Sequence, residues 1–133
     1  MSKVQIVEMG LRDGLQNEAV HLSVAQRFQL LKRLTDAGLS RIELGAFVSP
    51  RWVPQMSATS QLVKKAYSAQ KQGKIKKSVR FSTLVPNMRG LENALKTEIK
   101  EIAIFGAVTE SFSQKNINCS VSQSLKNFEK VVK

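Results

Sequence analysis

Short apolar segments alternate with longer amphipathic segments along the whole chain. Four runs have the length and residue types of buried strands: residues 4–7, 41–44, 79–85 and 101–107. Four segments carry apolar residues at helical spacing: about 24–37, 58–72, 88–97 and 121–133. The predicted order is β-α-β-α-β-α-β-α. Helices between successive strands predict parallel pairing with right-handed crossovers, so the fold class is α/β.

The ends of the predicted helices carry their own signals. Ser23 and Gln26 match an S-x-x-Q capping box, and Ser120 and Gln123 repeat it before the last helix. Gly38 lies where a left-handed residue commonly ends a helix. These signals support four separate helices.

Two architectures fit this order: an open doubly wound sheet, or part of a (β/α)8 barrel. Both bind ligands at the carboxyl ends of the strands. Four segments follow the predicted strands there: "LRDGLQNE", "ELGAF", "LVPN" and "FGAVTE". The last helical pattern continues to Lys133, and we expect an incomplete barrel of about four βα units if the chain is a barrel protein.

The first polar segment carries candidate chemistry. Asp13 offers carboxylate oxygens that suit Mg²⁺ or Mn²⁺, and Arg12 offers a planar cation for a carboxylate or an enolate. Gln16 lies within reach of either ligand. The alternative is a structural turn around Asp13 with a surface arginine. Glu43 ends the second predicted strand, where a buried carboxylate needs a partner such as Arg12, unless it faces solvent at a sheet edge.

Charge and composition limit the possible partners. The chain carries 21 basic and 10 acidic residues, a net charge of +11, with lysines concentrated in residues 64–77. That segment is either a polyanion-binding surface or the solvated face of a helix. Tyr67 is its one aromatic residue, too few for base stacking, so we expect no nucleic-acid partner. With no long apolar run and no signal peptide in the sequence, we expect a cytoplasmic protein, or an organelle-matrix protein after processing.

Four motifs together resemble 3-hydroxy-3-methylglutaryl-CoA lyase: "RDGLQNE", "FVSPRWVPQM", "LVPNMRG" and "IAIFGAVTESFSQKNINCS". The resemblance implies that residues 1–133 are the N-terminal half of a TIM-barrel lyase domain. It also implies metal-dependent retro-Claisen cleavage of an acyl-CoA to acetoacetate and acetyl-CoA, as in leucine degradation. By the same resemblance, Asp13 is a metal ligand, Arg12 and Glu43 are catalytic, and Gln16 and Asn116, together with Arg12, bind substrate. Lys115 and Asn118 are further candidates on the CoA side.

The sequence also departs from that family. The His-x-His pair, the Asn ligand and the cysteine of a glycine-rich loop are not found in these residues, and Ala46 replaces the usual serine. His21 is better explained as a loop residue, and Cys119 as a small buried residue. We therefore expect the isolated chain to hold a divalent cation weakly and to be inactive. A homo-oligomer or a complementing C-terminal half is the expected macromolecular partner. The alternatives are a sibling condensing enzyme of the isopropylmalate or homocitrate synthase type, a non-catalytic binding module, or a basic polyanion binder.

Overall fold

The computed structural model describes residues 4–133, in which three parallel strands form one sheet. The strands are β1 (Arg41–Ala46), β2 (Arg80–Leu84) and β3 (Glu101–Ala103), in the order β1-β2-β3. On the free side of β1, Glu8 forms an isolated parallel bridge with Ile42. Residues 1–3, on which the expectation about a signal peptide partly rests, lie outside the described range.

Five α-helices accompany the sheet: α1 (Val24–Asp36), α2 (Thr59–Lys71), α3 (Met88–Leu95), α4 (Glu110–Ile117) and α5 (Val121–Val132). Ser23 caps α1 through the predicted reciprocal bonds with Gln26, and Gly38 follows α1 with φ +94°. Ser120 caps α5 by accepting from the Gln123 amide. None of the helices within residues 4–133 has the length and apolar character that crossing a membrane requires.

The main core lies between one face of the sheet and helices α1 and α2. Ile42 and Phe81 are register partners on that face, and they are almost fully buried with Leu31 and Leu62. A smaller cluster of Val85, Ala94 and Val131 joins the carboxyl end of β2 to α3 and α5. The order in the sheet, from Glu8 through β1 and β2 to β3, is the same as the order in the chain. Strands added always on the same side are typical of a barrel. The sheet of a doubly wound fold reverses direction.

Two predicted strands are wrong in extent. Residues 4–7 do not form a strand, and only Glu8 pairs with β1; Val4 and Ile6 are exposed. The fourth predicted strand, 101–107, is regular only at β3, and Ile104 and Phe105 are exposed. Both segments lie at edges of the described sheet. There the ladder has one neighbour and the apolar side chains have little to pack against, so regular pairing stops early.

Candidate active site

A π-helical turn at Gly10–Gly14 follows the Glu8 bridge and carries the first candidate residues. The amides of Asp13 and Gly14 both donate to the carbonyl of Met9, at 2.8 and 3.3 Å. The Gly10 amide donates to the Glu8 carboxylate at 2.6 Å, and a Cβ at Gly10 would lie 2.7 Å from that oxygen. A side chain at position 10 would require the Glu8 carboxylate to move away from the Gly10 amide. The turn buries Leu11 completely and directs Arg12 toward β1.

Arg12 and Glu43 form a buried ion pair. Arg12 Nε donates to Glu43 Oε1 at 2.5 Å, and the two side chains are 11% and 4% exposed. Arg12 Nη1 donates to Asp13 Oδ1 at 2.9 Å. The Arg12 guanidinium thus bonds two carboxylates, and its charge offsets the cost of burying Glu43. Glu43 is therefore not a solvent-facing edge residue, and Arg12 is not a surface arginine.

Asp13 faces solvent, with a side chain that is 62% exposed. Within residues 4–133, no group of three or more His, Cys, Asp or Glu side chains lies close enough to hold a metal ion. His21 is exposed and joins no such group. One carboxylate is a poor ligand set for a hard divalent cation, so the described residues do not by themselves fit one.

The remaining candidates are divided between two places. Gln16 is half-buried just after the Arg12 turn. Asn116 is exposed and lines a separate cavity of about 810 Å³. That cavity lies over the carboxyl ends of the strands, and Arg12, Asp13 and Glu43 are not among its lining residues. The structure therefore brings three of the five candidates together and leaves Asn116 apart from them.

The cavity is lined by both polar or basic groups and aromatic groups. Its basic and amide groups include Arg89, Lys115, Asn116 and Asn118, and its aromatic groups include Phe47, Trp52 and Phe105. Helix α4, which carries Lys115 and Asn116, was not predicted, because its sequence lacks a strong apolar stripe. The available signal was Thr109 at the N-cap followed by an acidic residue, Glu110, in the first turn. In the structure the Glu110 carboxylate accepts from the Val121 amide and links α4 to α5. Arg89 was also missed, although it lies in the first turn of α3, two residues after the helix-capping Asn87.

Comparisons with known proteins identify the family of the chain. A family model described as HMGL-like matches residues 3–133. The chain belongs to the HMGL-like family. It is 46% identical over 130 residues to the 3-hydroxy-3-isohexenylglutaryl-CoA/hydroxy-methylglutaryl-CoA lyase of Pseudomonas aeruginosa, covering 98% of this chain and 41% of that protein. It is also 46% identical over 130 residues to the cytoplasmic 3-hydroxy-3-methylglutaryl-CoA lyase of Homo sapiens, covering 33% of that protein.

Solved structures of HMGL-like proteins share the fold. The crystal structure of the Pseudomonas aeruginosa hydroxymethylglutaryl-CoA lyase superposes with a TM-score of 0.84 at 44% identity, covering 98% of this chain and 41% of that one. An Acinetobacter baumannii HMG-CoA lyase in complex with coenzyme A and 3-methylmalate superposes with a TM-score of 0.82 at 25% identity, covering 99% of this chain and 42% of that one. The predicted resemblance and the partial barrel are both confirmed. This chain spans about two fifths of the length of these bacterial relatives.

Proposed function

We propose that this chain is the N-terminal half of a TIM-barrel hydroxymethylglutaryl-CoA lyase and supplies the arginine side of its active site. The reaction is the retro-Claisen cleavage of 3-hydroxy-3-methylglutaryl-CoA to acetoacetate and acetyl-CoA. The observation that carries the proposal is the buried pair between Arg12 and Glu43 of β1, with Asp13 beside Arg12. Identities of 44–46% to HMG-CoA lyases over nearly the whole chain support the substrate class.

Arg12 is suited to stabilise an enolate. Cleavage of the carbon–carbon bond places negative charge on the thioester side of the substrate, as the enolate of acetyl-CoA. Glu43 and Asp13 hold two nitrogens of the Arg12 guanidinium at 2.5 and 2.9 Å, so the cation is oriented before substrate arrives. A fixed donor directed at developing charge stabilises a transition state more than a mobile one does. Glu43 acts through Arg12 on this proposal, and Gln16 is the neighbouring side chain proposed to contact substrate.

A divalent cation is the proposed cofactor of the complete enzyme, with Asp13 as one of its ligands. Carboxylate oxygen and solvent exposure suit Mg²⁺ or Mn²⁺ at Asp13. The other ligands must come from residues beyond those described, since residues 4–133 offer no cluster that holds a metal. We therefore propose no metal-dependent step for this chain alone and expect the isolated chain to be inactive.

The 810 Å³ cavity is the proposed site for part of the CoA moiety. Arg89 and Lys115 supply positive charge for phosphate, and Asn116 and Asn118 supply amide donors and acceptors. The relative from Acinetobacter baumannii was solved with coenzyme A, which supports this class of ligand. Ala46 is buried at the end of β1, next to Phe47 of the cavity lining, and its missing hydroxyl removes one polar group from this side of the barrel.

A complementing C-terminal half is the proposed macromolecular partner. Exposed apolar side chains near the β3 edge and on α5 support it: Ile104, Phe105, Leu125 and Val132. Self-association through the same surfaces is the competing outcome, and light scattering of the chain at increasing concentration distinguishes the two. Relatives include cytoplasmic and mitochondrial lyases, and we propose the cytoplasm for this protein.

A fusion experiment tests the proposed function. The chain is joined to the remaining C-terminal segment of the Pseudomonas aeruginosa lyase, and acetoacetate formation from 3-hydroxy-3-methylglutaryl-CoA is measured with added Mg²⁺ or Mn²⁺. We expect activity from the fusion and none from the chain alone. Arg12→Gln in the fusion should lower kcat by about 100- to 1000-fold, the range for losing one oxyanion donor.

Arg33→Gln is the matched control, because Arg33 is an exposed arginine on α1, away from the Arg12 turn. A folded fusion that forms no acetoacetate would contradict the proposal, as would an Arg12→Gln fusion with undiminished kcat. Condensation of acetyl-CoA with a 2-oxo acid by the fusion would instead identify a sibling condensing enzyme.

A further inference from the structure

Helix α1 carries a buried charge that the proposed chemistry does not use. Arg27 is 1% exposed and lies on the apolar stripe of α1 with Val24, Phe28 and Leu31. None of the ion pairs among residues 4–133 gives it a carboxylate partner. Burial lowers the pKa of the Arg27 guanidinium below its ordinary value. Burying a guanidinium without a carboxylate costs desolvation free energy. The backbone groups that Arg27 bonds indicate its role.

The guanidinium of Arg27 joins two separated points of the chain. Nη2 donates to the carbonyl of Leu44 at 2.9 Å, and Nη1 donates to the carbonyl of Ser57 at 3.1 Å. Leu44 directly follows Glu43, the partner of Arg12. Ser57 closes the segment Phe47–Met56, which we call the cavity loop because six of its residues line the 810 Å³ cavity. One side chain therefore fixes both ends of the cavity loop.

The backbone around Arg27 is fitted to its presence. A Cβ on Gly45 would lie 2.8 Å from Arg27 Nη2 and 2.6 Å from Thr59 Oγ1, so only glycine leaves room for the guanidinium. Ala58, next to Ser57, has φ 59°, a left-handed conformation that is unfavourable for a residue with a Cβ. A strained residue at this point persists because the surrounding contacts hold it.

We propose that Arg27 is a positioning residue that fixes the cavity loop relative to the Arg12–Glu43 pair. Its two hydrogen bonds set the distance between the strand end that carries Glu43 and the loop that faces the proposed CoA site. This inference deepens the proposed function and rests on it where CoA is concerned. The mechanical part, the tethering of the cavity loop, stands on the hydrogen bonds alone.

The chain offers a local probe of this tether. Trp52, the single tryptophan of the protein, lies in the cavity loop and is 86% exposed. Four amides in and directly after the loop, which we call the four loop amides, donate to carbonyls within the loop: those of Trp52, Val53, Met56 and Ser57. Fluorescence anisotropy of Trp52 and hydrogen exchange of these four amides therefore report loop order separately from global folding.

The test replaces Arg27 by methionine, which keeps length and apolar volume but leaves both carbonyls without a donor. We expect exchange at the four loop amides to rise at least about tenfold, because a stranded buried carbonyl weakens the local structure. Trp52 anisotropy should fall, while exchange at the central amides of α2 changes much less. Arg27→Lys should rescue part of the loop protection, and Arg33→Met, at an exposed arginine of the same helix, should leave loop exchange unchanged.

Several outcomes separate this inference from the proposed function. Loop exchange that stays at the wild-type level in a folded Arg27→Met chain overturns the inference, and so does exchange that rises equally in α1, α2 and the loop. If Arg27→Met fails to fold, Gly45→Ala provides the second variant, because its Cβ displaces the guanidinium and should loosen the same four amides. Titration with CoA tests the proposed function separately. If the loop is tethered but the chain binds no CoA, the role of Arg27 in holding the loop is retained and the assignment of the cavity to CoA is wrong.

Discussion

Glu43→Leu should lower the free energy of unfolding, because it leaves the buried charge of Arg12 without its main partner. The Arg12 and Glu43 side chains are 11% and 4% exposed and meet at 2.5 Å, so leucine leaves the guanidinium beside an apolar group. Removing one partner of a buried pair costs about 3–5 kcal/mol. We expect the lower end of that range, since Asp13 still accepts from Arg12 Nη1 at 2.9 Å. Glu43→Gln keeps an acceptor for Nε, and we expect about 1–2 kcal/mol.

Urea denaturation followed by far-UV circular dichroism measures this change in the free energy of unfolding. The m-value should stay constant, which attributes the shift of the midpoint to stability. The double variant Arg12→Met/Glu43→Leu removes both charges at similar volume and should recover most of the loss, to within about 1 kcal/mol of wild type. Glu92→Leu is the matched control, at an exposed glutamate of α3, and should change stability by less than about 0.5 kcal/mol.

The double variant is the decisive measurement. If Arg12→Met/Glu43→Leu is as unstable as Glu43→Leu alone, the loss comes from packing at position 43, and the reasoning about an uncompensated charge is refuted. A loss below about 1 kcal/mol for Glu43→Leu would also refute it, because that is the range of an exposed ion pair. Either result would remove the argument that Glu43 holds Arg12 in a charged, ordered state.

Three further predictions concern the fold. Ser23→Ala removes the cap of α1 and should lower the free energy of unfolding in urea by about 1 kcal/mol, and no loss would contradict the capping box. Leu62→Ala opens the main core and should cost about 2–5 kcal/mol, whereas Leu125→Ala, at an exposed site on α5, should cost less than about 0.5 kcal/mol. Burial, reinforced by the charges of Glu101 and Glu98, raises the pKa of Tyr67 above 10.0, so an unfolded Tyr67 releases its proton first and stability falls as pH rises past 10. The thermal midpoint of Tyr67→Phe should fall less over that range, and equal slopes would contradict the assignment.

Local signals predicted the helices better than the strands. Ser23, Gly38 and Asn87 act through atoms within a few residues, so each end was found close to its place. A strand depends on neighbours that may lie far away in sequence. Residues 4–7 have the composition of a strand, yet only Glu8 pairs with β1, because the described sheet offers that segment one neighbour. Composition cannot report how many neighbours a segment has.

The candidate site was predictable where charge imposed a partner. A glutamate at the end of a buried strand requires a cation, and Arg12 was the near one. Asn116 had no such constraint, and the structure places it on the cavity away from Arg12. Arg27 was missed although it carried a signal: a charge on the apolar stripe of an amphipathic helix. Its partners are the backbone carbonyls of Leu44 and Ser57, and a pattern of side chains cannot predict bonds to backbone groups.

The two sides of the proposed site therefore differ in what they need to form. The arginine side lies within residues 4–133, because Arg12 in the first turn contacts both Asp13 beside it and Glu43 on β1. For the proposed metal site, residues 4–133 supply one candidate ligand, the exposed carboxylate of Asp13. On the proposed function, a complementing half would add ligands to an arginine that is already oriented. Complementation in trans should then depend on the affinity between the halves, and the Arg12 Nε resonance should change little when the second half binds.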